Sequence, residues 1–319
     1  MTVAILDDTA ALEALAPEWH SLWQRNEGAT PFQSPHWLIP WWSAFGTGAP
    51  RVAVLRQGGV LRGMLPAYVL QEADGPKLLP IGAGTSDYLD VLGDGATPLL
   101  AALLARAAAD GVGRCDLIEV PPWSTLRSAA VPQGWAAAWH EGEPCPVLHL
   151  HAIPASIRRK LRMSRHRADR AGGWSMETAG STTCSAMLDS LVALHQARWS
   201  AGSEPGVLAD PAVLLCLHRA VPALLKAGLL RLVQLRVGGK VAAVILAMLS
   251  PGQIYLYLTG YDLAQSFVSP GTLLLGAMLE EATAEGRTEA RFLRGREGYK
   301  YAWGAVDQVN ATLTMIQRS

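Results

Sequence analysis

Charge is scarce in this chain, and it is balanced. Only 17% of the 319 residues are Asp, Glu, Lys or Arg, and 27 basic residues against 27 acidic ones leave no net charge. That argues against a general nucleic-acid binder, which needs a basic field to gather phosphates. Lysine occurs only at positions 77, 160, 226, 240 and 300. Cysteine is limited to Cys115, Cys145, Cys184 and Cys216, with no CxxC and no Cys/His spacing. Such a set fits buried thiols in a reducing cytoplasm better than a disulfide frame or a zinc site, and no metal is expected. Long apolar runs are missing too. The longest, Val241 to Leu249, falls far short of the roughly 20 residues that cross a bilayer, and it reads as a buried strand. The opening MTVAILDDTAALEAL has neither a basic nor an apolar leader region, so no signal peptide is expected.

What the chain does have is apolar content and an internal echo. Half of its residues are hydrophobic, enough for two cores of ordinary size. Arg51-Val-Ala-Val-Leu55-Arg56-Gln-Gly58-Gly59-Val60 lines up with Arg231-Leu-Val-Gln-Leu235-Arg236-Val-Gly238-Gly239-Lys240 at a constant offset of 180. Both pieces read as strand, Gly-Gly turn, strand. Helices over about 8–25 and 35–45 precede the first hairpin, and helices over 183–200 and 211–227 precede the second. Asp210-Pro211 is a good helix start, and Pro222 is expected to kink the helix that follows. Helices over 97–110 and 270–285 end at Gly111 and Gly286, and each leads into a strand: Cys115 to Val120, and Thr288 to Arg294. Each half therefore reads α-α-β-β-β-α-β, a duplicated α/β domain with a mixed sheet. Pro-rich Glu143 to Pro146 and Ile153-Pro154 place the boundary, giving domains 1–147 and 148–319.

Just past that boundary lies the densest charge cluster, Ser156 to Arg170. Ile157, Leu161, Ser164, Ala168 and Ala171 form one narrow stripe on a helix, with Arg158, Arg159, Arg162, Arg165 and Arg170 around the rest. One reading is an interdomain helix with a solvated face; the other is a basic surface that attracts an acidic substrate or phosphates.

The last third, Tyr255 to Trp303, carries the chemistry. A strand leads to Ser269-Pro270-Gly271-Thr272, where Ser269 is a candidate N-cap and Pro270 suits the first helical position. The first amides of a helix lack internal partners and sit at the positive end of its dipole, which makes this start a candidate anion site. A second strand then runs into Gly295-Arg296-Glu297-Gly298-Tyr299-Lys300.

These residues resemble a known family. Leu194 to Trp199, Ser269-Pro270-Gly271, Phe292 to Lys300 and Trp303 are similar to the GNAT acetyltransferases of the CelD type, which carry a paired domain related to the FemAB aminoacyltransferases. Glu18-Trp19, Pro31 to Trp37, Trp41-Trp42 and Ser86-Asp87-Tyr88 extend the resemblance over the first half. It implies two tandem GNAT-like domains. The first would be degenerate; the second would bind acetyl-CoA or another acyl-CoA and pass the acyl group to an amine. Where the family pattern has an acidic residue before the Phe-Leu pair, this chain has Arg291.

The resemblance implies cofactor contacts at Ser269, Pro270, Gly271 and Thr272, with Lys300 as a phosphate contact. It also implies a strand over 254–261 that splays from its neighbour. Tyr299 is the candidate acid for the leaving thiolate, with Tyr301 in reserve, and His195 or Glu297 is the candidate base. Asp87, Tyr88, Arg198, Trp199 and Tyr257 are the candidate acceptor contacts. Two other functions stay open: aminoacyl transfer from charged transfer RNA, as in FemAB proteins, and a non-catalytic role in a biosynthetic assembly.

Overall fold

The computed structural model describes residues 1–199 and 206–318, the side chain of Trp199 excepted. The chain forms two compact units, one of Met1–Pro144 with Gln308–Ser319, the other of Cys145–Asp307. The first contains β1 (Thr2–Leu6), α1 (Thr9–Ala14), α2 (Ala16–Arg25), α3 (Pro35–Phe45), β2 (Pro50–Gln57), β3 (Val60–Glu72), β4 (Gly75–Pro80), β5 (Leu92–Gly93), α4 (Ala96–Ala109), β6 (Arg114–Val120) and β7 (Trp135–Pro144). The second contains β8 (Val147–His149), α5 (Ala155–Arg170), β9 (Trp174–Thr178), α6 (Cys184–Trp199), α7 (Pro211–Lys226), β10 (Leu230–Val237), β11 (Lys240–Ser250), β12 (Gln253–Tyr261), α8 (Pro270–Ala284), β13 (Glu289–Arg291) and α9 (Gly298–Ala302). The last strand, β14 (Val309–Gln317), returns to the first unit.

The sheets run β1-β2-β3-β4-β6-β14-β7, with β5 beside β3, and β8-β13-β12-β11-β10-β9. In each, a strand that precedes a helix pairs parallel with the strand that follows it: β4 with β6, β12 with β13. The other pairings are antiparallel. The fold is thus mixed α/β in two units of like order. The sequence repeat reappears as identical local geometry. The β2–β3 ladder slips between Leu55 and Arg56, and the β10–β11 ladder between Leu235 and Arg236. Gly58, Gly59, Gly238 and Gly239 all have positive φ, as the tight turn of a two-residue hairpin requires. Arg56 and Arg236 each donate to the carbonyl of the second glycine.

Several strands depart from the expected order. β1 precedes the helices of the first unit, β8 opens the second, and β9 stands between α5 and α6. Residues 308–319, assigned to the second domain from the sequence, supply β14 to the first unit's sheet. The reason is visible in the side chains. Ala311, Leu313 and Met315 alternate with polar neighbours and bury one face, and Leu313 and Met315 join the first unit's core. The helix expected over 8–25 breaks in two at Leu15, before Pro17. Pro222 lies inside α7, which continues to Lys226.

In the second unit, β11 is buried on both faces. Ala243, Ile245, Ala247 and Leu249 join the core formed with α5 and α8. Val244, Leu246 and Met248 are buried on the side that α6 approaches. A strand so enclosed needs no polar alternation, which accounts for the apolar run from Val241 to Leu249. The stripe on α5 packs as expected: Ile157, Leu161, Ser164 and Ala168 are buried. Leu161 seats on Gly276 of α8, where an added Cβ would lie 2.2 Å from its methyl. At Gly260 of β12 a Cβ would meet Leu191 O at 2.9 Å and His195 N at 3.1 Å, both on the α6 backbone. The missing side chain therefore sets how closely α6 lies on the strand. Gly260→Val is expected to cost about 1–3 kcal/mol of stability in urea unfolding, the usual penalty of overpacking. A change under a few tenths of a kcal/mol would show that the helix stands off freely.

Candidate functional site

The candidate site lies in the second unit, where β12 and β13 part. Their ladder covers only Gln253↔Glu289, Ile254↔Ala290 and Tyr255↔Arg291, and β12 continues alone on that side to Tyr261. Just past the fork, β12 carries a bulge. Leu246 of β11 faces Leu258 and Ala247 faces Leu256, so Tyr257 is the extra residue. A bulge re-aims a strand's side chains and sharpens its twist. Tyr257, expected as an acceptor contact, is half-buried there.

The start of α8 stands at the end of β12. Ser269 occupies the N-cap position but not in the expected manner. Its backbone is left-handed (φ 53°, ψ 59°) and its side chain makes no capping bond. This conformation is costly for a residue with a Cβ and marks a locally over-determined turn. Pro270 has no N–H, and Leu273 N bonds Ser269 O. The amides of Gly271 and Thr272 have no hydrogen-bond partner among the described residues. A Cβ at Gly271 would stand 3.5 Å from the ring of Tyr261, so strand end and helix start share one surface.

Tyr261, which the sequence reading passed over, organises the rest. The Arg198 guanidinium lies 5.2 Å over its ring. Arg198 comes from α6, as does His195, which is buried. Burial, and then the Arg198 charge, hold His195 below its ordinary value, so its imidazole is neutral near pH 7. Tyr299 comes from α9, with its ring edge-on to Phe292 at 5.9 Å. Desolvation and the Glu297 carboxylate push its phenol up to about 12, against an opposing pull from Arg198. The same guanidinium thus acts on both His195 and Tyr299, which brings two expected catalytic residues into one field. The side chain of Trp199 lies outside the described residues.

Lys300 does something other than expected. It is only 2% exposed, and its ammonium donates to Leu293 O (3.1 Å), Arg294 O (2.6 Å) and Gly295 O (3.2 Å). It also pairs with Glu297 at 2.9 Å. A buried cation with that many acceptors closes the loop 293–297 and is not presented to a phosphate. The same pairing occupies Glu297, whose carboxylate packs where a Cβ of Gly295 would be. Tyr301 donates to Asp307 at 2.8 Å. Arg291 has kept its acid close by: Glu289, two residues earlier on the strand, pairs with it at 2.9 Å in a buried network with Gln253 and Tyr255.

Asp87 and Tyr88 belong to the first unit. Tyr88 is fully buried, stacked on Trp123 at 5.7 Å and tilted against Phe32 at 6.2 Å, so it packs that core. The Asp87 carbonyl accepts from Asn310 at 2.6 Å. The tryptophans of the first half have similar work: Trp19, Trp23 and Trp37 bond Gln33 O, Thr30 O and Ser86 Oγ. An open pocket of about 420 Å³ lies on the first unit's sheet face. Its cations are already paired, Lys77 with Glu72 and Arg114 with Asp116. Among the described residues, no group of three or more His, Cys, Asp or Glu could hold a metal ion, and no helix is long and apolar enough to cross a membrane.

Residues 155–301 match the family described as an acetyltransferase (GNAT) domain. A search of curated proteins finds no match. Among solved structures, FemX is 12% identical over 98% of this chain and 97% of its own, with a TM-score of 0.67. The C-terminal domain of a putative lysylphosphatidylglycerol synthetase from Agrobacterium fabrum is 12% identical, covering 96% and 92%, with a TM-score of 0.63. L-PGS from Bacillus licheniformis is 14% identical, covering 100% and 94%, with a TM-score of 0.62. At such identities the likeness is one of fold. Residues 155–301 of the second unit form a GNAT-fold, acetyltransferase-like domain, and the chain as a whole shares its two-unit fold with these structures.

Lys300→Met would strand three carbonyls. It is expected to lower stability by roughly 1–3 kcal/mol in urea unfolding. A variant as stable as the parent would show that the ammonium does not hold the loop.

Proposed function

We propose that the chain is an N-acyltransferase of the CelD type that moves an acetyl or longer acyl group from CoA to an amine, acting in the cytoplasm. The single observation that carries this reading is the fork between β12 and β13, with the open amides of Gly271 and Thr272 at its head. The donor supplies a thioester carbonyl and a thiolate leaving group. At the helix start, two amides and the helix dipole suit a diphosphate. The exposed backbone from Leu256 to Thr259 suits an extended amide-bearing arm, because a strand without a neighbour on one side presents paired donors and acceptors.

Transfer forms a C–N bond and breaks a C–S bond. The nitrogen's proton goes to a base, and the departing sulfur takes a proton from an acid. His195 is the better base of the two candidates, since it is neutral while Glu297 is committed to Lys300. Tyr299 is the acid. With its phenol at about 12 it stays protonated at neutral pH. Outright transfer to a free thiolate, whose conjugate acid lies near 8.5, is uphill, so the proton is shared with the sulfur as the C–S bond breaks and the thiolate takes its final proton from solvent. Arg198 and Tyr261 shape the wall around both groups. The four buried cysteines suit a reducing compartment.

Isothermal titration of the whole chain with acetyl-CoA, longer acyl-CoAs and charged transfer RNA tests the donor. CoA binding that Gly271→Trp abolishes is the expected result; binding of charged transfer RNA alone would replace this reading with aminoacyl transfer. Tyr299→Phe is expected to lower kcat by roughly 10²-fold with KM for the donor little changed. The pH profile of kcat/KM follows from His195. Its depressed value keeps the neutral base present to lower pH than an ordinary histidine, so activity is lost only as pH falls through a point below about 6.5. An acid limb at or above that value would rule His195 out.

A further inference from the structure

We infer that the exposed face of α5 and the adjoining turn Leu263–Val268 dock on an anionic lipid surface. This stands apart from the acyl-transfer reading and uses other residues. Arg158, Arg159, Lys160, Arg162, Arg167 and Arg170 all project from α5 into solvent. None of these six pairs with a carboxylate among the described residues; of the α5 cations only Arg165 does, with Glu280. On a chain with zero net charge, six such cations on one helix form a local field, and it calls for an anionic partner.

The face is not purely basic. Met163 is 46% exposed, and it lies one turn from both Arg159 and Arg167. Arg167 donates to the carbonyl of Phe267 at 3.2 Å, which brings the turn before α8 alongside. In that turn Phe267 is 57% exposed and Leu263 47%. Exposed Met, Leu and Phe among arginines match the boundary of a bilayer. There the apolar groups enter the acyl layer while guanidinium groups on long stems reach lipid phosphates. A nucleic acid would use the cations equally well, but Leu263 and Met163 offer bases no stacking face. The apolar members therefore decide for lipid.

The test is sedimentation of the full chain with vesicles of mixed phosphatidylglycerol and phosphatidylcholine, and with vesicles of phosphatidylcholine alone. The expected result is at least about tenfold stronger partition onto the anionic vesicles, weakening as salt is raised. Arg159→Glu with Arg162→Glu should reduce it to the level of phosphatidylcholine alone. Phe267→Ser should weaken the part that survives in salt. Equal partition onto both vesicles, no partition, or no effect of Phe267→Ser would overturn the proposal. So would binding of transfer RNA through the same arginines while vesicles stay unbound. All of these side chains are exposed, so thermal melts of the variants should match the parent. If the double variant misfolds, the salt titration of the parent still decides.

Discussion

The short parallel ladder between β12 and β13 is the constraint from which the second unit's site follows. Three residue pairs hold the strands together, and then the chain needs them apart. The parting leaves backbone from Leu256 to Tyr261 facing a gap, and it sets Tyr261 against the start of α8. Several features hold the fork open. Gly260 admits the α6 backbone to one side of β12, the bulge at Tyr257 turns the strand, and Leu293 past β13 takes a left-handed backbone with φ 62°. Lys300 then ties that loop by its carbonyls. A fork kept open by strain and by a buried cation is a preorganised cleft, because little has to move when a ligand enters.

The first unit repeats the fork and fills it differently. β4 and β6 share one pair, Leu78↔Cys115. Late in β6, Glu119 is left-handed at φ 56°, as Leu293 is past β13. Its carbonyl is taken by Leu89 N, and its carboxylate by Asn310 of β14. The helix after β4 begins at Gly95, left-handed like Ser269, yet Thr97 in its first turn accepts from Ala130 N of a covering loop. The two units share this backbone and differ in what occupies the opening.

The sequence made much of this legible. The offset of 180 pointed to a repeat that reappears down to matching ladder slips, because hairpin geometry depends on a few local residues. The stripe on α5 was readable because helical burial follows a fixed period. β14 was missed although Ala311, Leu313 and Met315 alternate, since alternation does not say which sheet a strand joins. Lys300 was misread for a related reason. A charged residue in a Gly-rich loop reads as exposed, and only three converging carbonyls explain its burial. Tyr261 was invisible as a site residue because its role comes from Arg198, sixty-three positions away by number, and from Gly271 on another element. Asp87 and Tyr88 drew attention as a motif; in the structure Tyr88 lies buried against Trp123 and Phe32, and the Asp87 carbonyl accepts from Asn310.

Amide hydrogen exchange of the whole chain, with and without CoA, reaches the central claim most directly. Slowed exchange confined to Leu256 through Thr259 and to Gly271 and Thr272 is the predicted result. Binding of CoA that leaves those amides exchanging at their free rate would contradict it.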